Sequence, residues 1–150
     1  MPDGRTALET IESVAARSRA IRVPMGNGGK QMWHVWGEGS GKPTLLLFHG
    51  GSGSWIHWIR NVLPLSQHFE VYAADMPGLG DSDPPDDVRD IWSVTHCVKT
   101  AVEALLPKDK LNQFPTYSEN KKIQWFTDGK WWVEHSKEIE KRWNEFKLKQ

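Results

Sequence analysis

Two apolar runs, each followed at once by a glycine-rich loop, constrain the fold of this chain more than any other feature. Thr44–Phe48 leads into the loop HGGSGS, and Phe69–Ala74 leads into DMPGLGDSDPP. Short runs that are apolar at nearly every position are typical of central strands covered on both faces. A helical pattern lies between them in Trp55–Gln67, and an amphipathic one follows in Asp90–Leu106. This strand–loop–helix order predicts an α/β fold built from βαβ units with a parallel sheet.

The residues before this core predict a helix and a hairpin. Apolar side chains recur at helical spacing in Thr6–Arg19. Arg19–Pro24 and Gln31–Trp36 are strand candidates separated by the turn cluster GNGG, which favours a hairpin. In the helical segment after the first glycine-rich loop, Pro64 is expected to distort or end the helix.

The composition changes near Pro107. Basic residues are mostly arginine before it, whereas after it Arg142 is the sole arginine among nine lysines. The first part has nine basic and twelve acidic residues, and the second has ten and seven. Such asymmetry is a domain-boundary signal. We therefore predict an α/β domain in residues 1–107 and, in residues 108–150, a tail of different origin.

Both glycine-rich loops follow strands, so both are expected at the carboxyl edge of the sheet, where open α/β sheets bind ligands. A helix beginning near Ser54 would direct free N–H groups toward an anion or a developing oxyanion. The alternative is an ordinary tight turn in which Ser52 or Ser54 caps the helix. A dinucleotide-binding loop is excluded at the second position, because GLGDSDPP leads into prolines and not into a helix.

Together, LLLFHGGSGSW (Leu45–Trp55) and VYAADMPGLGDSDPP (Val71–Pro85) resemble the N-terminal part of the α/β-hydrolase family, over about residues 32–106. The resemblance implies hydrolysis of an ester, amide, epoxide or C–C bond in a small-molecule substrate. It also implies an oxyanion donor at the backbone N–H of Gly51 or Ser52. The residues that it assigns are the oxyanion loop His49, Gly50, Gly51 and Ser52 and the second loop Asp75, Gly78, Gly80 and Ser82.

The family's nucleophile motif, G-x-S-x-G, does not occur in the 150 residues. The nearest approach, centred on Ser52, has serine in place of the last glycine and lies one strand too early. We therefore predict a truncated or fused hydrolase-family chain that is catalytically impaired, and whether it is an enzyme stays open. One alternative is a hydrolase with an unorthodox nucleophile, Ser52 or Ser118, or one completed by a second chain. The other is a non-enzymatic interaction module that uses the tail.

The tail is rich in tryptophan and lysine. KKIQWF and KWWVEH flank the turn TDG at residues 127–129, which predicts a β-hairpin, and Ser136 is expected to cap a following helix. The tryptophans either pack together or over the sheet edge, or they form a surface for a peptide or single-stranded nucleic acid.

Other features narrow the function classes. A formal net charge of zero gives no general attraction to nucleic acid or membrane, and the lone Cys97 suits a reducing, cytoplasmic compartment. No cofactor motif occurs, and we predict no metal site, because His34 and His96 have no carboxylate or cysteine at ligand spacing. An uncovered edge of the apolar strands is expected to favour self-association.

Overall fold

The computed structural model describes residue 4 and residues 6–26, 28–115, 120 and 129–147. The chain forms two compact units, Met1–Leu111 and Asn112–Gln150. The first unit contains both glycine-rich loops.

A four-stranded sheet forms the centre of the first unit. Its strands are β1 (Arg19–Pro24), β2 (Lys30–Trp36), β3 (Thr44–Leu47) and β4 (Glu70–Ala74). They lie in the order β1-β2-β4-β3, and only the β3–β4 pair is parallel. The predicted α/β class and the predicted hairpin are therefore confirmed, but the sheet is mixed and not all parallel. The reason is that the β1–β2 hairpin also pairs antiparallel with β4.

The helices of the first unit are α1 (Ala7–Ala15), a 3₁₀ turn (Trp55–Trp58), α2 (Val62–Ser66), α3 (Ile91–Leu105) and α4 (Lys108–Leu111). Thr6 begins α1 through a reciprocal capping box with Glu9, and the Asp90 carboxylate caps α3 by accepting from Ser93 N. Across the part of the chain that the structure describes, no helix combines the length and the apolarity needed to cross a membrane.

One apolar cluster connects the sheet to α1, the 3₁₀ turn and α2. Alternate residues of β4, Val71 and Ala73, contribute to it and are fully buried, as the two-residue period of a strand requires. Trp36 packs in the same cluster and donates from its indole Nε1 to the backbone oxygen of Val14 in α1, at 3.2 Å. The cluster also includes Trp55 and Val62. This cluster holds the 3₁₀ turn that follows the first glycine-rich loop against the sheet.

Two predicted helices differ in detail from the structure. Pro64 does not end its helix, because α2 begins at Val62 and places Pro64 in the first turn, where a backbone N–H has no helical partner. The break falls earlier, between the 3₁₀ turn and α2. In α3 the fully buried residues are Cys97 and Ala101, while Ile91, an apolar residue of the predicted amphipathic helix, is 70% exposed.

In the second unit, α5 (Gly129–Lys147) replaces the predicted second hairpin strand. Lys130–His135 is therefore helical, and the helix begins before Ser136. Pairs four residues apart explain this: Arg142 bonds Glu138 at 2.8 Å, and the rings of Trp131 and His135 stack at 4.3 Å. The predicted first strand, in residues 121–126, lies outside the described residues.

Candidate oxyanion site at the sheet edge

His49 is the first residue of the candidate site, and it connects the loops that follow the parallel strands β3 and β4. Its Nε2 accepts a hydrogen bond from Met76 N at 2.9 Å, and its Nδ1 lies 2.6 Å from Gly50 O. Because a carbonyl oxygen can only accept, the ring proton is on Nδ1, and Nε2 is unprotonated. Both nitrogens of this buried ring are therefore occupied, so His49 positions the loops and is not available as a base.

Gly51 and Ser52, two and three residues after His49, present candidate donors. Both are exposed, and their backbone N–H groups make no hydrogen bond to any described residue. Ser52 has a φ of 54°, a left-handed conformation that is uncommon for a residue with a side chain. Free N–H groups at the carboxyl end of a parallel strand are suited to bind an oxyanion.

Asp75 holds the C-terminal end of the first glycine-rich loop, where the loop meets Trp55. The side chain is buried at the end of β4, where its Oδ1 accepts from Trp55 N at 2.7 Å and its Oδ2 from Asp81 N at 2.9 Å. Gly80, with a φ of +56°, lies so close that a Cβ there would be 2.4 Å from the Asp75 Cγ. Only glycine can occupy that position without displacing the carboxylate. One side chain therefore fixes both glycine-rich loops.

Ser82 and Gly78 complete the second loop. The Ser82 hydroxyl donates to Asp75 O at 2.8 Å and accepts from Met32 N at 2.8 Å. The Gly78 N–H donates to Asp83 O at 3.0 Å. The four residues that the sequence selects in this loop thus lie together, and their contacts are within the loop, to β2 and, through Asp75, to Trp55. The second loop supports the edge of the sheet.

No described residue activates a serine at this site. The Ser52 hydroxyl has no hydrogen-bond partner among the described residues, whereas a nucleophilic serine needs a base within hydrogen-bond reach. The neighbouring His49 has both ring nitrogens in use. Ser118, the other candidate nucleophile, lies outside the described residues. Among the described residues, the site therefore has unbonded N–H groups and no serine that is paired with a base.

The structure also groups residues that the sequence leaves apart. A ring nitrogen of His34, in β2, lies with carboxylate oxygens of Asp75 and Asp81 in a group whose members are all within 4.8 Å of one another. His34 has no carboxylate at ligand spacing in the sequence, but the structure brings two carboxylates near it. His34 lies in β2 and both carboxylates lie in the second glycine-rich loop, so no spacing in the sequence indicates the contact. Burial lowers the pKa of His34, against the weaker opposing effect of the two carboxylates.

These observations define an α/β protein with a candidate anion-binding loop at the carboxyl edge of its parallel strands. Comparison with known proteins gives the family. Residues 43–126 match the family described as alpha/beta hydrolase fold, and the chain belongs to this family.

Individual relatives are similar over parts of the chain. The chain is 51% identical to the soluble epoxide hydrolase of Corynebacterium sp. (strain C12) over 53 residues, covering 35% of this chain and 18% of the relative. It is 35% identical to epoxide hydrolase 3 of Mus musculus over 66 residues, covering 43% and 18%. The crystal structure of the carboxylesterase CesB from Bacillus subtilis superposes with a TM-score of 0.57 at 26% identity, covering 65% of this chain and 34% of the esterase. The matched region is thus about a fifth to a third of each relative's length.

Proposed function

We propose that these 150 residues provide the oxyanion-binding part of an α/β hydrolase and are catalytically impaired on their own. The substrate class is a small molecule with an ester, amide, epoxide or C–C bond to be hydrolysed. The epoxide hydrolases and the carboxylesterase among the relatives support that range. The observation that carries the proposal is the pair of unbonded N–H groups at Gly51 and Ser52, on a loop held by His49 and Asp75.

The donors are arranged before any ligand binds, and this is what makes them useful. The His49–Met76 bond fixes where the loop leaves β3, and the Asp75–Trp55 bond fixes where it enters the 3₁₀ turn. Preorganised N–H groups stabilise a developing negative oxygen without reorganising during the reaction. The loop therefore suits the transition state of hydrolysis and not only the ground state of a substrate.

Impairment follows from the absence of a nucleophile motif. The chain contains no G-x-S-x-G, and Ser52 has no described base. In serine hydrolases that lose the triad, the oxyanion hole and substrate binding alone leave a residual acceleration of roughly 10³ to 10⁴ over water. One donor loop without the rest of the site should retain less than that.

Hydrolysis of a p-nitrophenyl ester and labelling by a fluorophosphonate test this proposal together. We expect any turnover by the 150-residue chain to be unchanged by Ser52→Ala and by the fluorophosphonate, and mass spectrometry to find no labelled serine. An intact serine hydrolase is the positive control for both reagents. Fluorophosphonate-sensitive turnover, or a labelled Ser52 or Ser118, would contradict the proposal.

The donors themselves are tested by NMR with methylphosphonate as the anion. The amide signals of Gly51 and Ser52 should shift as the anion is added. Gly39, in a glycine-rich loop before β3, is the matched control, and its signal should not move. Equal shifts at Gly39 and Gly51 would show that the anion does not select the loop.

We also propose self-association through β3. This strand lies at the edge of the sheet, and its residues Thr44–Leu47 are all half-buried. An apolar edge strand is a template for pairing with another chain.

Leu46→Lys should shift the chain toward monomer in sedimentation velocity at equal concentration, because a charge on an edge strand opposes pairing. Leu8→Lys, which changes an exposed leucine of α1 far from β3 in sequence, is the control and should leave association unchanged.

The change in composition near Pro107 supports a junction between segments of different origin. The buried free Cys97 supports a cytoplasmic location, where cysteines stay reduced.

The alternative of an interaction module is supported by two exposed apolar side chains on α5, Trp131 and Val133. It would need a partner whose chemistry no described contact indicates, so we retain the hydrolase proposal.

A further inference from the structure

The buried imidazole of His34 points to a second site, separate from the oxyanion loop. His34 is 8% exposed, and its Nε2 has no hydrogen-bond partner among the described residues. Buried polar atoms are nearly always paired, so each exception needs an explanation. Here the explanation depends on which ring nitrogen has the proton.

Ser18 determines the tautomer. Its hydroxyl donates to Ala15 O at 2.8 Å. The Ser18 Oγ also lies 3.2 Å from His34 Nδ1, and in this second contact it can only accept. The proton therefore lies on Nδ1, and Nε2 has an unshared lone pair. This tautomer is the neutral form of the ring that can bind a metal through Nε2.

The other members of the group are also electron-pair donors. The carboxylates of Asp75 and Asp81 lie with the His34 nitrogen within 4.8 Å, and Asp75 is 1% exposed. Each Asp75 oxygen accepts one backbone N–H, which leaves a lone pair on each oxygen. Three electron-pair donors thus meet where a cation would satisfy all of them.

We propose that His34, Asp75 and Asp81 bind one divalent transition-metal ion of the zinc, cobalt or manganese type. One imidazole and two carboxylates favour these ions, whereas calcium and magnesium prefer oxygen ligands alone. Ligand bonds of about 2.0–2.2 Å require donor atoms somewhat closer than 4.8 Å. Asp81 is exposed, so its side chain can move inward, while Gly80 holds its backbone against Asp75.

Such a site would stabilise the joint between the two glycine-rich loops. Asp75 would bind the metal and the Trp55 N–H at the same time, and the Asp81 backbone already donates to Asp75. The exposed side of Asp81 leaves room for water in the remaining coordination positions. The site does not depend on the proposed hydrolase chemistry, since none of its ligands belongs to His49–Ser52.

Titration of the full chain with Co²⁺, and equilibrium dialysis with Zn²⁺, test the site. We expect one equivalent of each ion to bind, with d–d absorption bands that saturate at that ratio. Asp81→Asn should weaken binding by at least about tenfold, since even groups that only orient a ligand cost that much. Asp86→Asn changes another exposed carboxylate of the same loop and should bind as the unmodified chain does.

Two further measurements keep the proposal falsifiable. The rings of His57 and His49 lie 5.8 Å apart and are another place where a metal could bind. His57→Gln removes one of them and should leave Co²⁺ binding unchanged, because the proposed ligands are His34, Asp75 and Asp81. In the unmodified chain, Zn²⁺ should shift the ¹⁵N signal of His34 Nε2, whatever the stability of the variants. The absence of saturable binding, equal affinity in the Asp81 and Asp86 variants, or an unshifted His34 signal would each overturn the site.

Discussion

Replacing Asp75 with alanine should lower the free energy of unfolding by about 3 kcal/mol. The change removes the acceptor for Trp55 N, at 2.7 Å, and for Asp81 N, at 2.9 Å. Removing one partner of a buried hydrogen bond costs about 1–3 kcal/mol per donor left unsatisfied, and bonds to charged groups are at the upper end. Relief from burying the carboxylate offsets part of the sum. Urea denaturation in the absence of metal measures the change.

Asp86→Ala is the matched control, because Asp86 is an exposed carboxylate in the same loop. It should change stability by no more than about 0.5 kcal/mol. Asp75→Asn keeps one acceptor oxygen and should fall between the two. Hydrogen exchange adds a local measurement: the amides of Trp55 and Asp81 should lose protection in the alanine variant. Equal stability of the Asp75 and Asp86 alanine variants would show that the carboxylate does not hold the loops.

The strands and the two loops could be predicted because their signals are local. An apolar run of five or six residues with glycines after it indicates a buried strand and a turn, whatever the rest of the chain does. Thr44–Leu47 and Glu70–Ala74 are strands at nearly the predicted bounds. The prediction that both are central was wrong for Thr44–Leu47, which lies at the sheet edge and is half-buried, because no further strand among the described residues pairs with its other side. The family resemblance came from these two loops, and the family match is confirmed.

The group around His34 could not be predicted, because its members come together only when β2 pairs with β4. In that register His34 lies opposite Ala73, two residues before Asp75. Sequence spacing gives no information on which strands are neighbours. The start of α5 was missed for a different reason: Lys130–His135 has no clear period, and its helix depends on pairs such as Lys130–Glu134 that continue toward the C-terminus.

The ion pair between Glu70 and Lys110 is a second contact that only the tertiary structure shows. Glu70 begins β4 and is 1% exposed, while Lys110 lies in α4, beyond the predicted junction at Pro107. The Lys110 Nζ bonds the Glu70 Oε2, and the Oε1 accepts from Gly41 N at 3.1 Å. The hydrogen bond to Glu70 raises the pKa of Lys110. Residues just past the change in composition therefore stabilise the sheet of the first unit.

Lys110→Met should lower the free energy of unfolding by about 3 kcal/mol, because it leaves the Glu70 carboxylate buried without its cation. Glu70→Gln combined with Lys110→Met should recover most of the loss, since glutamine removes the charge and can still accept from Gly41 N. Lys108→Met, an exposed change in the same helix, is the control. Urea denaturation of the unmodified chain, the single variants Glu70→Gln and Lys110→Met and the double variant gives the coupling free energy between Glu70 and Lys110.

The pH dependence of the Lys110 variant follows from the direction of the shift. A lysine whose pKa is raised above its ordinary 10.5 contributes stability that is complete below that value and is lost only as the pH rises through the higher folded-state pKa. The difference between the unmodified chain and Lys110→Met should therefore be constant between about pH 7 and pH 9. A difference that disappears within this range, or a Lys110 variant as stable as the Lys108 control, would show that Glu70 does not depend on Lys110. In that case the double variant would be no more stable than Lys110→Met, because there would be no unpaired charge for Glu70→Gln to remove. The stability of β4 would then come from its apolar face alone.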